Sequence, residues 1–151
     1  MGPTSAPHGT PCLRIGGAVR APRALAMAEL RALPQHACDV VFSCRRAGAR
    51  HHRFAGPLLL DVVGEADPVF AGGDRKARLR FLLSLRADDG HRAVLSWGEI
   101  DPEFGAVPVL VALSRDGRPL DVEGPTLAVP GDRCGARSLT ALRELTLRPD
   151  A

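Results

Sequence analysis

Apolar and polar residues alternate along this chain in short blocks, and most of the blocks have the length and composition of β-strands. The pattern predicts short helices over residues 25–33, which end at Pro34, and over residues 57–63, where Pro57 suits a first helical position. Strands are predicted over residues 12–19, 37–44, 49–54, 77–86, 91–95, 107–113, 125–129 and 139–147, with 37–44 expected to be buried. Because the elements do not follow a β-α-β order, the sequence predicts an α+β fold.

Turn and cap signals divide these blocks. Asp-Gly pairs at residues 89–90 and 116–117 predict turns, and residues 67–74 predict a loop. Ser96 with Glu99 has capping-box spacing, so the acidic residues from 99 to 103 are expected to serve a helix start. Residues 131–135 predict a loop, with Arg137 and Ser138 expected to enter the last strand.

Length and composition narrow the class of protein. A chain of 151 residues fits one domain, here a loose tail over residues 1–11 and a folded domain over 12–151. The first ten residues contain no apolar stretch and no apolar run has membrane-spanning length, so a cytoplasmic protein without membrane contact is expected. The net charge of +3 comes from scattered arginines with no tyrosine and one tryptophan, which argues against nucleic-acid binding.

Simple metal and nucleophile motifs are absent from the sequence. The four cysteines form no C-x-x-C pair, which argues against a zinc ribbon. His51 and His52 are adjacent in a predicted strand and would point to opposite faces, so they do not suit one shared ion. The sequence spacing supports no Ser-His-Asp or Cys-His triad.

Four segments carry a resemblance to a known family. They are LRIGGAVRAPRALAMAELRALP (13–34), FAGPLLLDVV (54–63), DGHRAVLSWGEIDPEFG (89–105), and DGRPL (116–120) followed by AVPGDRCGARSLTALREL (128–145). Their order resembles that of the sulfite oxidase-type oxidoreductase molybdopterin-binding domain, in a small, stripped-down form. The resemblance implies a single compact α+β domain with mixed sheets and short helices. It also implies a molybdenum–molybdopterin cofactor. Members of that family are often exported.

The resemblance also implies site residues. Cys44 matches the thiolate that binds molybdenum, because it ends a predicted strand twelve positions before Gly56. Soft thiolate sulfur suits such a metal, and the neighbouring Arg45 and Arg46 would favour the thiolate. The Cys44 sulfur is therefore expected to face a cavity.

Further cofactor-binding residues follow from the same resemblance. Arg137 and Ser138 match positions that contact the pterin phosphate, and Arg133 lies nearby. His91 occupies a position where the family often has tyrosine. It either lines the pocket or caps a strand.

Several family features are missing, which leaves two hypotheses open. The chain contains no asparagine and no tyrosine, and Thr140 stands where the family has a lysine. The first hypothesis is a molybdopterin-dependent oxidoreductase-like protein with Cys44 as metal ligand and an unidentified small-molecule or redox partner. The second is a cofactor-free binding or scaffold module that keeps the fold without the redox site.

Overall fold

The computed structural model describes residues 11–44 and 48–150, with the backbone alone at Cys44. The predicted tail over residues 1–11, apart from Pro11, lies outside the described residues, as do Arg45 and Arg46. No helix in the described part of the chain is long and apolar enough to cross a membrane.

A five-stranded sheet forms the centre of the molecule, in the order β2-β1-β11-β5-β6. Its strands are β1 (Cys12–Gly17), β2 (Arg23–Ala26), β5 (Phe81–Ala87), β6 (Arg92–Ser96) and β11 (Leu142–Pro149). The terminal strand β11 lies between β1, to which it is parallel, and β5, to which it is antiparallel. Strict alternation of buried and half-buried residues along β5 gives this sheet one apolar face toward the core.

A second, four-stranded sheet has the order β3-β4-β8-β9, and two further strands pair beside it. The long hairpin of β3 (His36–Cys44) and β4 (Gly48–Gly56) pairs over its full length, from His36 opposite Gly56 to Cys44 opposite Gly48. The remaining strands are β7 (Leu110–Ala112), β8 (Ser114–Arg115), β9 (Arg118–Pro119) and β10 (Thr126–Ala128). The predicted turn at Asp116–Gly117 joins β8 to β9, and both of its residues have positive φ.

The helices are short and lie between the strands. They are α1 (Met27–Ala32), α2 (Leu59–Gly64), α3 (Arg75–Arg78) and α4 (Trp97–Ile100), with a 3₁₀ turn at Gly135–Arg137. Together with the mixed sheets they confirm the predicted α+β class. The sequence also indicates an apolar stripe of Leu58, Leu59, Val62 and Val63 facing the sheet. Leu59, Val62 and Val63 are fully buried in the main core, whereas Leu58 is the N-cap residue and is only partly buried.

Gly56 shows why the chain needs glycine before α2. A Cβ atom built at Gly56 would lie 2.2 Å from the backbone oxygen of Val111. The backbone of residue 56 therefore packs directly against the β7 strand. Any larger residue would push the two strands apart.

Several predictions about local structure are wrong. The helix predicted over residues 25–33 begins only at Met27, because residues 23–26 form the strand β2, which pairs with β1. The strand predicted over 77–86 begins only at Phe81, because Asp74 caps the short helix α3 by accepting a hydrogen bond from the Ala77 N–H. The strand around Val40 forms as predicted but is not buried as a whole: Val41 is 49% exposed. Helix α2 begins at Leu59 rather than at Pro57.

A further wrong prediction concerns the junction before the last strand. Strand β11 starts at Leu142, so Arg137 ends a 3₁₀ turn, Ser138 follows it as the C-cap residue, and neither enters a strand. Ser96 stands at the N-cap of α4 as predicted, but its side chain makes no cap bond. Glu99 bonds to Arg137 instead.

Candidate functional site

The candidate site lies where the end of β3 meets the loop of residues 131–138, called here the arginine loop. The backbone N–H of Ser43 donates to the carbonyl oxygen of Arg133 at 2.8 Å. The Phe42 ring lies beside Gly135, where an added Cβ atom would meet it at 3.7 Å. These contacts place Cys44, the last residue of β3, next to a loop that is distant in sequence.

Two of the predicted site residues line one cleft. His91 and Ser138 border a cavity of about 110 Å³ between the turn after β5 and the end of the arginine loop. Thr140 and Asp89 also line it. The Asp89 carboxylate accepts a hydrogen bond from the His91 backbone N–H at 2.9 Å, which fixes the turn that carries His91.

The two arginines of the loop, Arg133 and Arg137, differ in exposure and in their carboxylate partners. Arg133 is exposed, and it has no carboxylate partner within the described ranges 11–44 and 48–150. Arg137 is half-buried and donates from Nε and Nη2 to the two oxygens of Asp132, at 2.9 and 2.7 Å. Its Nη1 and Nη2 also reach Glu99, at 3.4 and 3.3 Å. The hydrogen bond that Arg137 donates to Asp132 is the main cause that raises the pKa of Arg137 above its ordinary value.

Asp132 and Glu99 were not identified as site residues from the sequence. Glu99 has capping-box spacing, which masked its role, and Asp132 looked like an ordinary turn residue. The only available signal was the opposite charge of Asp132 and Arg137 in one short Gly-rich loop. That signal is weak because exposed pairs of this kind are common and contribute little.

Two of the cysteines, Cys38 and Cys44, lie on the strand β3. At Cys44 the backbone pairs with Gly48, and its side chain lies outside the description, so the expected cavity at its sulfur stays a prediction. Cys38, on the same strand, is half-buried, and burial followed by the charge of Asp39 raises the pKa of its thiol. Cys38 is therefore a poor source of thiolate at neutral pH.

The cleft lined by His91 and Ser138 is small for the molybdopterin group that the family resemblance implies. The cleft of about 110 Å³ is smaller than the roughly 300–1,000 Å³ usual for small-molecule sites. A larger depression, about 400 Å³, is lined by Arg14, Gly16 and Arg23 among others and by none of the predicted site residues. No cluster of three or more His, Cys, Asp or Glu side chains suited to a metal occurs among the described residues.

The comparisons with known proteins give a fold. No protein-family model matches the chain, and no curated protein sequence matches it. Among solved structures, the chain is similar to the sulfane dehydrogenase SoxCD from Paracoccus pantotrophus, with a TM-score of 0.72 and 17% identity over 93% of this chain. It spans 38% of the length of that protein. At this identity the similarity establishes a shared fold, which agrees with the fold predicted from the four segments.

Proposed function

We propose that this chain is a molybdopterin-dependent oxidoreductase-like domain of the sulfite oxidase type, with its site at the junction of β3 and the arginine loop. The observation that carries the proposal is the backbone bond from Ser43 to Arg133 at 2.8 Å. It joins the two parts of the chain that the family resemblance marks separately, Cys44 and the segment from Arg133 to Ser138.

The donor set fits such a group in part. A thiolate at Cys44 would hold the metal, since soft sulfur suits a thiophilic centre. Arg133 would serve the anionic phosphate, because its guanidinium has no carboxylate partner among the described residues. Arg137 matches the phosphate position by sequence but already holds Asp132 and Glu99.

When bound, the cofactor would supply a metal centre for oxidation and reduction. The protein's own residues would bind and orient it. His91 and Ser138, which share one cleft, would offer an imidazole and a hydroxyl for hydrogen bonds to a polar ligand.

A second candidate function is a binding module that keeps the fold without the redox site. It is favoured by the two carboxylates that neutralise Arg137 and by the small volume of the cleft beside Ser138. In that case a small polar ligand, rather than a pterin, would occupy the cleft.

Metal analysis separates the two candidates. The protein is expressed in a host that makes the molybdenum cofactor, purified, and analysed for molybdenum and for the fluorescence of oxidised pterin. About one molybdenum and one pterin for each chain is the expected result for the cofactor-bound domain. Absence of both, in protein that is folded by circular dichroism, contradicts the first candidate and leaves the second.

A further inference from the structure

Arg137, which the family resemblance matches to a phosphate contact, already holds a carboxylate. Its Nε and Nη2 atoms face the two oxygens of Asp132 in a fork-to-fork arrangement, at 2.9 and 2.7 Å. This is the edge of a guanidinium that recognises phosphate and carboxylate alike, because both present two oxygens at matching spacing. A ligand phosphate and Asp132 therefore compete for the same donors.

Glu99 adds to this competition from another element. It lies on α4 and reaches Nη1 and Nη2 of Arg137 at 3.4 and 3.3 Å. One positive charge thus faces two negative charges, and all three side chains are one-fifth to one-third exposed. The local charge of −1 repels an incoming anion, and partial burial strengthens that repulsion relative to open water.

The carboxylates are held in place by the fold. Asp132 sits five positions before Arg137 in the arginine loop, which the Ser43–Arg133 backbone bond ties to β3. Glu99 sits between Trp97 and Ile100, both buried in the main core. The two acids are therefore presented to Arg137 by separate, anchored parts of the chain.

We propose that Asp132 and Glu99 are internal anions that occupy a phosphate-binding site centred on Arg137, so that a phosphate-bearing ligand binds there only by displacing Asp132. This inference deepens the proposed function, since it concerns the arginine that matches the pterin-phosphate position. It predicts that removing the two carboxylate charges exposes a phosphate site that is blocked in the wild-type protein.

The test uses inorganic phosphate as the probe and the complete chain as the protein. Phosphate is titrated by calorimetry into wild type, Asp132→Asn/Glu99→Gln, and the same double variant carrying Arg137→Gln. A matched control, Glu144→Gln/Asp88→Asn, removes the same two charges from carboxylates that pair with Arg86 and Arg143. Asp132→Asn alone serves as the test variant if the double variant does not fold.

The expected result is a gain in phosphate affinity of about tenfold or more for the double variant, which Arg137→Gln abolishes and the control lacks. No gain, a gain that survives Arg137→Gln, or an equal gain in the control each overturns the proposal.

The outcome is independent of metal content. A phosphate gain in protein that never acquires molybdenum keeps this inference and removes the proposed function. If wild-type protein contains molybdenum and the double variant gains no phosphate affinity, the proposed function stands and this inference is overturned.

Discussion

Arg78 and Arg137 are each held by two carboxylates, yet the two clusters differ in burial. Arg78 donates from Nη1 to Asp101 at 2.9 Å and also pairs with Glu103. The side chain of Asp101 is 2% exposed, whereas that of Asp132 is 20% exposed. The same kind of ion pair therefore lies inside the fold in one cluster and at its rim in the other.

The number of donors differs as well. The Asp101 carboxylate also accepts from the Trp97 indole N–H and from the backbone N–H of Glu103, both at 2.8 Å. In the described part of the chain, the Asp132 side chain accepts from Arg137 alone. A buried carboxylate with three donors has a structural role. One with a single partner at the surface can exchange it for a ligand.

The largest expected effect is the loss of the buried carboxylate. Asp101→Ala breaks the buried half of the Arg78 ion pair, leaving only Glu103, and leaves the Trp97 N–H without its acceptor, so the free energy of unfolding should fall by about 3–5 kcal/mol. Asp132→Ala should cost about 1 kcal/mol or less, because its partner stays accessible to water. Denaturant unfolding of both variants measures the difference. Equal losses would contradict the distinction between the clusters.

Truncation of a residue in the apolar core gives a reference value for the stability losses of these carboxylate variants. Leu59 on α2 is fully buried, so Leu59→Ala should lower the free energy of unfolding by about 2–5 kcal/mol through lost burial and a cavity. Val122→Ala is the control, since Val122 is 87% exposed and should change stability by about 0.5 kcal/mol or less. A change at Leu59 below about 0.5 kcal/mol would mean that α2 does not pack on the sheet as described.

The smallest effect is expected at a third, more exposed pair. The Arg86 Nε–H donates to Glu144 at 2.7 Å, and this hydrogen bond is the main cause that lowers the pKa of Glu144. A lowered pKa in the folded state means that the contribution is fully present above the ordinary value of 4.5 and is lost as pH falls further. Glu144→Gln should therefore flatten stability against pH slightly below that value. An unchanged slope would show that the pair contributes nothing.

Much of the fold could be predicted from the sequence because its signals are local. Alternation in β5, the Asp-Gly turn between β8 and β9, and the apolar stripe of α2 each depend on a few neighbouring residues. The misplaced start of β5 had a local cause too. Asp74 caps the helix α3, which therefore includes Ala77 and Arg78. The pattern Arg78, Leu79, Arg80 had suggested a strand instead.

The site was less accessible to sequence reasoning because its contacts are distant along the chain. Ser43 and Arg133 meet through backbone atoms, which no side-chain motif records. The partnership of Glu99 with Arg137 depends on how α4 packs beside the arginine loop, and the capping-box spacing favoured a different role. The family resemblance supplied the positions Cys44, Arg133, Arg137, Ser138 and His91, and their roles in binding stay predictions.

The most direct test of the central claim is the molybdenum content of cysteine variants made in a cofactor-competent host. Wild type and Cys38→Ala should both contain about one molybdenum for each chain, because the raised pKa of Cys38 makes it a poor ligand. Cys44→Ala should lose the metal while remaining folded. Equal molybdenum in Cys44→Ala and wild type, or loss in Cys38→Ala alone, would contradict the assignment of Cys44 as the metal ligand.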